Sequence, residues 1–121
     1  MSVQHYRELI VWQKAMDLAK LCYQVTKKFP KEELFGMTSQ IRRAAASIPA
    51  NIAEGNGRAS TKEYLHHLSI ARGSLAETET HLILSRNVEL LPEADLQKCL
   101  TLADEISRML AALRTALERR L

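Results

Sequence analysis

The chain has 121 residues, of which 46% are hydrophobic and 5% aromatic, and its formal net charge is +3. This length fits one domain, residues 1–121, with a core large enough to fold without disulfides or metal ions. Such a hydrophobic content excludes a disordered chain. Because glycine, proline and aromatic residues are scarce, the composition favours helices over sheets.

The amino terminus and the hydropathy pattern indicate a cytoplasmic protein. Residues 1–8 are polar and lack the apolar segment of a secretory signal peptide. We find no apolar run close to the roughly 20 residues that a membrane span needs, so we expect no membrane partner. In the cytoplasm, Cys22 and Cys99 are expected to be reduced thiols that pack near each other as small core residues.

The first predicted helix runs from about Val11 to Lys28 and ends before Pro30. Apolar residues recur in it at steps of four and three, which places them on one helical face: Val11, Ala15, Leu18, Cys22, Val25 and Phe29. A second stripe lies beside the first: Trp12, Met16, Ala19 and Tyr23. The apolar face is therefore wider than one partner helix requires.

The second predicted helix begins between Glu33 and Thr38 and runs to about Glu54. Its stripe comprises Ile41, Ala45, Ile48 and Ile52. Pro49 lies inside this pattern and removes a backbone donor, which predicts a kink or, alternatively, two shorter helices. Gly55 and Gly57 are interpreted as the stop of the helix.

Two further helices have recognisable starts. Ser60 and Glu63 have the spacing of a capping box, from which helix 3 continues to about Arg86. Pro92 favours the first turn of helix 4, where Leu96 to Leu117 follow the alternating steps of a coiled-coil seam. Short connections make successive helices antiparallel. The sequence therefore predicts an all-α, up-down-up-down four-helix bundle.

Polar residues interrupt the apolar pattern where helices 2 and 3 are expected to meet. Centring the turn near Arg58 places Ala44 against Gly73, so that two backbones approach closely, and Asn51 near His66 and His67. We expect an inter-helix polar network that either fixes the register or forms a binding groove, with these members: Gln40, Arg43, Asn51, Glu54, Arg72 and Glu77.

Residues typical of catalysis or metal binding do not form a recognised pattern. No two of the four histidines lie three or four residues apart, and the cysteines lack a C-x-x-C spacing. Glu63 and His66 match half of a di-iron bundle motif, which needs two such pairs. We expect no enzymatic activity, no metal and no cofactor, and a ligand-binding bundle is the least favoured hypothesis.

Basic residues are concentrated in one stretch of the sequence. Residues 27–62 contain seven lysines and arginines against three glutamates. A basic surface fits an anionic partner such as RNA, and the scarcity of aromatic residues favours phosphate contacts over base stacking. The candidate nucleic-acid contacts are Lys27, Lys28, Lys31, Arg42, Arg58 and Lys62.

Three segments together resemble a bacterial family. They are LIVWQKA at 9–15, QIRRAAASIPANIAEG at 40–55 and IARGSLAE at 70–77. These segments resemble the four-helix-bundle proteins named after the 23S rRNA intervening sequence, and the likeness extends from about Tyr6 to Leu91 and fades in helix 4.

The resemblance implies a fold and a way of assembling more than a chemistry. Family members are four-helix bundles that tend to form closed rings, with five subunits expected, and they have no established enzymatic activity. A similar bundle assists the reverse transcriptase of diversity-generating retroelements, where it engages protein and nucleic acid. We therefore expect a homo-oligomer that associates with RNA. The alternative is a scaffold for partner proteins with no nucleic-acid role.

Overall fold

The computed structural model describes residues 5–121. Four α-helices form the bundle: α1 (Ile10–Thr26), α2 (Met37–Asn56), α3 (Thr61–Asn87) and α4 (Glu93–Glu118). Short 3-10 turns precede α1 at Tyr6–Glu8 and lie between α1 and α2 at Lys31–Glu33. The predicted all-α four-helix bundle is confirmed, and no strand occurs within residues 5–121.

One apolar core joins the four helices, and it consists of the stripes that the sequence predicted. All six residues of the first α1 stripe are buried, and the four stripe residues of α2 are fully enclosed. Helices α3 and α4 complete the core, with Leu68, Leu82, Ile106 and Leu110 among its fully buried side chains. Burial of each such side chain contributes roughly 1.5–3 kcal/mol, which offsets the entropy lost on ordering the chain.

Contacts between neighbouring helices fix how the chain is arranged. Between α2 and α3, Arg43 pairs with Glu77, Ser47 with Ser74 and Asn51 with His67. Partner numbers fall along α3 as they rise along α2. The contacts of α1 with α4 follow the same order, since Lys14 pairs with Glu105 and Lys28 with Asp95. Neighbouring helices in these pairs therefore run in opposite directions.

Pro49 lies inside α2, which is one helix of 20 residues. The alternative of two shorter helices was therefore wrong. Pro49 is itself buried, and the helix continues through it to Asn56. The kink at this proline stays a prediction.

The sequence analysis expected the backbones of α2 and α3 to approach closely where Ala44 meets Gly73, and this expectation was wrong. A Cβ added at Gly73 would meet nothing within 4 Å, so no backbone approaches there. The close approach lies at Gly55, where an added Cβ would stand 2.8 Å from the Cβ of His67. Ser74 rather than Gly73 faces α2, because the helices meet at a register slightly offset from the one assumed.

Helix α3 starts at the predicted cap. Ser60 Oγ accepts a hydrogen bond from the Glu63 backbone N–H at 3.1 Å, which satisfies one of the free donors of the first turn. The reciprocal bond from the Glu63 side chain, predicted as part of the capping box, does not form. A full capping box occurs instead at the first 3-10 turn, between His5 and Glu8.

None of the helices within residues 5–121 combines the length and apolar character needed to cross a membrane.

Candidate functional site

Five of the six candidate nucleic-acid contacts divide between the two ends of α2, and the sixth, Arg42, lies within the helix. Lys27, Lys28 and Lys31 precede the helix, whereas Arg58 and Lys62 follow it. A helix of 20 residues is about 30 Å long, so the two groups lie at opposite ends of the bundle. A basic stretch that is continuous in the sequence thus forms two separate surfaces.

The Arg42 side chain is bound to residues of α1 and is not a free surface cation. Its Nε donates to Thr26 Oγ1 at 2.9 Å, and Nη2 donates to the Tyr23 carbonyl at 3.4 Å. The guanidinium also lies 4.6 Å from the centre of the Tyr23 ring, a cation–π distance. Arg42 therefore neutralises the carboxyl end of α1, and its charge is already used there.

The other basic candidates differ in whether an acidic side chain neutralises them. Arg58 lies 3.7 Å from Glu54, and Lys28 lies 4.0 Å from Asp95. Lys27, Lys31 and Lys62 are exposed and have no ion-pair partner within the described residues. These three lysines are the cations most available to an external anion.

An exposed aromatic side chain follows the first lysine group in the chain, and sequence reasoning missed it. Phe35 is 93% exposed, and its neighbour Leu34 is 49% exposed. Both residues follow the Lys31–Glu33 turn directly. The available signal was that Phe35 falls on no helical stripe and lies between Pro30 and Gly36, where a short loop cannot bury it.

The predicted polar network forms along the outer seam of α2 and α3, but in two clusters. In the first, Arg43 donates to Gln40 Oε1 at 2.7 Å and lies 3.5 Å from Glu77 Oε2. The Nε2 of His81 lies 3.4 Å from the same carboxylate oxygen. One carboxylate therefore holds two basic groups from different helices.

The second cluster surrounds Asn51. Its Nδ2 donates to Ser47, and its Oδ1 lies 3.2 Å from the Nδ1 of His67, which therefore carries the proton. Ser47 Oγ accepts from Ser74 Oγ at 2.9 Å. Glu54 lies 3.9 Å from His67 at the edge of the cluster. Since these groups satisfy one another, the arrangement suits a device that fixes the register.

One predicted member lies outside the network, and several members were not predicted. Arg72 is exposed and forms no hydrogen bond or ion pair within residues 5–121, because it faces away from α2. Ser47, Ser74 and His81 belong to the network although the sequence analysis left them out. Their signal was spacing, since they lie one turn from predicted members on the same face.

One buried polar atom of this network, in His81, lacks a hydrogen-bond partner within residues 5–121. The Nδ1 of His81 is buried and has no hydrogen-bond partner within the described part of the chain. An unpaired buried nitrogen costs free energy, which the Nε2 contact with Glu77 offsets only in part.

An apolar groove lies on the outer side of α1 and α2. It has a volume of about 370 Å³. Its lining consists of Tyr6, three of the four residues of the second α1 stripe (Trp12, Met16 and Ala19) and small residues of α2 (Ala46, Pro49, Ala50 and Ala53). Met16 is 45% exposed. The sequence analysis identified the surplus apolar face on α1 but not the alanine surface on α2 that forms the other wall.

The two cysteines lie together in the core, as the sequence predicted. Both are free thiols with no exposed surface, and both belong to the same buried core cluster. The Cys99 thiol and burial together raise the pKa of Cys22 far above its usual range. Cys22 is therefore a neutral, weakly reactive thiol.

Nothing in residues 5–121 gathers three or more histidine, cysteine or acidic side chains where they could hold a metal ion. The described side chains form three kinds of surface: two basic ends, a polar seam between α2 and α3, and an apolar groove.

Comparison with known proteins places these surfaces in a family context. A solved structure of a protein of unknown function from the S23 ribosomal protein family of Bacteroides thetaiotaomicron superimposes with a TM-score of 0.77. It is 26% identical to this chain, and the alignment covers 86% of this chain and 97% of that one. A search of the curated proteins finds no match.

The family comparison also corrects the extent of the resemblance. The likeness was expected to fade in the fourth helix, yet the family model matches residues 7–112 and so includes most of α4. A seam of regular apolar steps is common to many bundles, which is why α4 carried no recognisable signature. The chain belongs to the 23S rRNA-intervening sequence protein family.

Proposed function

We propose that this chain is a non-enzymatic cytoplasmic bundle that assembles with copies of itself and associates with RNA through phosphate contacts. The observation that carries the RNA proposal is the segment between α1 and α2, where exposed, unpaired Lys27 and Lys31 are followed in the chain by the exposed ring of Phe35. Lysines neutralise phosphates, and an exposed ring offers a surface on which an unpaired base stacks. The family is named after an intervening sequence of 23S rRNA, which makes RNA the first partner to test.

The two basic ends make the RNA proposal testable one end at a time. Lys27→Glu with Lys31→Glu reverses two charges at the first end, and Arg58→Glu with Lys62→Glu reverses two at the other. Lys20→Glu with Arg72→Glu is the matched control, because both residues are exposed and unpaired within residues 5–121 and lie near mid-height of the bundle.

Fluorescence anisotropy of a labelled, structured RNA across a salt series provides the measurement. We expect the Lys27/Lys31 pair to weaken binding about tenfold or more and to lower the salt slope by about 2, since two phosphate contacts are lost. The control pair should change the affinity far less. If all three double variants weakened RNA binding equally, the Lys27/Lys31 site would be contradicted, and only a general attraction between charges would remain. Absence of binding by the unmodified protein at low salt would contradict the RNA partner itself.

Self-assembly is supported by the apolar groove between α1 and α2. Monomeric proteins rarely leave a large contiguous apolar surface in water, and the alanines of α2 let another helix approach closely. A ring of five copies, as the resemblance implies, would repeat each lysine group five times and so raise the avidity for a long RNA. A protein scaffold would use the same groove, which is the observation that favours the alternative function.

A single charge placed in the groove tests the assembly. Ala50→Lys puts a cation on the exposed α2 wall, where burial against another chain would be costly, whereas Ser107→Lys adds the same charge on the exposed face of α4. Light scattering coupled to size-exclusion chromatography measures the molar mass of the assembly. We expect a smaller assembly for Ala50→Lys and an unchanged one for Ser107→Lys. An unchanged oligomer with both variants would remove the groove from the interface.

A further inference from the structure

One seam of the bundle has no covalent connection along the chain. The loops at 27–36, 57–60 and 88–92 join α1 to α2, α2 to α3 and α3 to α4. Helices α1 and α4 are neighbours without a loop between them, and only side chains hold them together. Two ion pairs bracket this seam, Lys14–Glu105 at 3.1 Å and Lys28–Asp95 at 4.0 Å.

Cys22 and Cys99 face each other between these brackets. The residues that pair across the seam place the two cysteines at the same level of α1 and α4, and both thiols are fully buried in the core. Each thiol also shifts the pKa of the other, upward for Cys22 and downward for Cys99, as expected of neighbouring groups. Both residues belong to the one buried core cluster, and a disulfide requires their sulfurs to approach to ~2.05 Å.

We propose that oxidation converts Cys22 and Cys99 into an intramolecular disulfide that locks α1 to α4 and closes the bundle covalently. The inference is independent of RNA binding and of self-assembly. Both cysteines are free in the structure, which is therefore the reduced form of the switch.

A peroxide is the class of oxidant that completes the reaction. One thiolate sulfur attacks the peroxide oxygen, which forms a sulfenic acid and releases the first water. The second sulfur then attacks the sulfenic sulfur, its proton leaves with the departing hydroxyl, and the second water forms. Two thiols lose two electrons and two protons in total, and hydrogen peroxide accepts them as it becomes two waters.

The surroundings of the pair set the rate of this oxidation. Thiolates are the reactive species: the Cys99 thiol and burial raise the pKa of Cys22, whereas the Cys22 thiol lowers the pKa of Cys99, so Cys99 is the more reactive of the two. The oxidant also has no path to a fully buried sulfur until the α1–α4 seam opens. Oxidation is therefore slow, and the lock responds to sustained oxidising conditions and not to a brief exposure.

The preference of the fold for this disulfide is measured in glutathione redox buffers. The unmodified protein is equilibrated from its reduced and its oxidised forms, trapped with an alkylating reagent and analysed by intact mass and peptide mapping. The disulfide form lacks two hydrogens and takes up no reagent. We expect the disulfide equilibrium constant to be at least about 100-fold larger in native buffer than in concentrated guanidinium, because the fold holds the sulfurs together.

Further measurements separate the lock from other outcomes. Cys22→Ala and Cys99→Ala must each abolish the intrachain product, and the oxidised protein should unfold about 10 °C above the reduced one. The proposal would be overturned if the disulfide equilibrium constant in native buffer were equal to or below that in guanidinium, because the fold would then strain the bond. A product that joins Cys22 or Cys99 of different chains would overturn it as well.

Discussion

Two glycines lie within helices, and their surroundings differ sharply. Gly55 of α2 lies against α3, where an added Cβ would come within 3.2 Å of the Tyr64 carbonyl oxygen as well as close to His67. Gly73 of α3 is exposed and has open space around it. Only the first position requires the absence of a side chain.

Alanine substitutions should therefore have opposite effects at these two positions. Gly55→Ala is expected to lower the free energy of unfolding by about 1–3 kcal/mol, because backbone and Cβ atoms must move apart. Gly73→Ala is expected to raise it by up to about 1 kcal/mol, because alanine favours a helix more than glycine does. Urea denaturation measures both, and a stabilising Gly55→Ala would contradict the close packing of α2 on α3.

The sequence could not assign these roles because they depend on register. The helical stripes indicate which face of each helix is buried, but they leave the level at which two helices meet undetermined by a residue or two. That small offset moves the contact from Gly73 to Ser74 and makes Gly55 part of the interface instead of a helix stop. The expected proximity of Asn51 to His67 holds, because two polar side chains reach across the offset.

At the scale of a single helix, the start of α3 depends on one hydroxyl group. Ser60 is the only side-chain cap of that first turn, since the Glu63 side chain does not return the bond. Ser60→Ala should therefore lower the free energy of unfolding by about 1 kcal/mol. Ser107→Ala, on an exposed face inside α4, is the control and should change the free energy by less than half as much. A thermal or urea melt that shows equal effects would contradict the cap.

Helices themselves were the most predictable part of the fold. The stripe of α1 from Val11 to Phe29 is buried throughout, because a period of three and four residues reports directly on a single protected face. Polar side chains gave less information. The sequence predicts Arg42 to be a surface cation. Its partners Thr26 and Tyr23 lie on another helix, so the contact cannot be inferred from the sequence around Arg42.

The whole molecule distributes its charge in a way that the linear sequence conceals. A basic stretch that spans a helix of 20 residues cannot act as one patch, because the helix carries its two halves to opposite ends. The neutralisation of Arg58 by Glu54 reduces the second end further. The paired charge reversals described above therefore test a property of the assembled bundle, and we expect the Lys27/Lys31 end to dominate.

The groove between α1 and α2 contains the chain's sole tryptophan. Trp12 is partly buried, and the ring of Tyr6 stands edge-on to it at 5.3 Å between ring centres. Indole emission depends on how much water surrounds the ring, so this residue is a built-in optical probe at the surface where assembly is proposed. Intrinsic fluorescence can therefore follow, without any label, the moment at which another helix covers this groove.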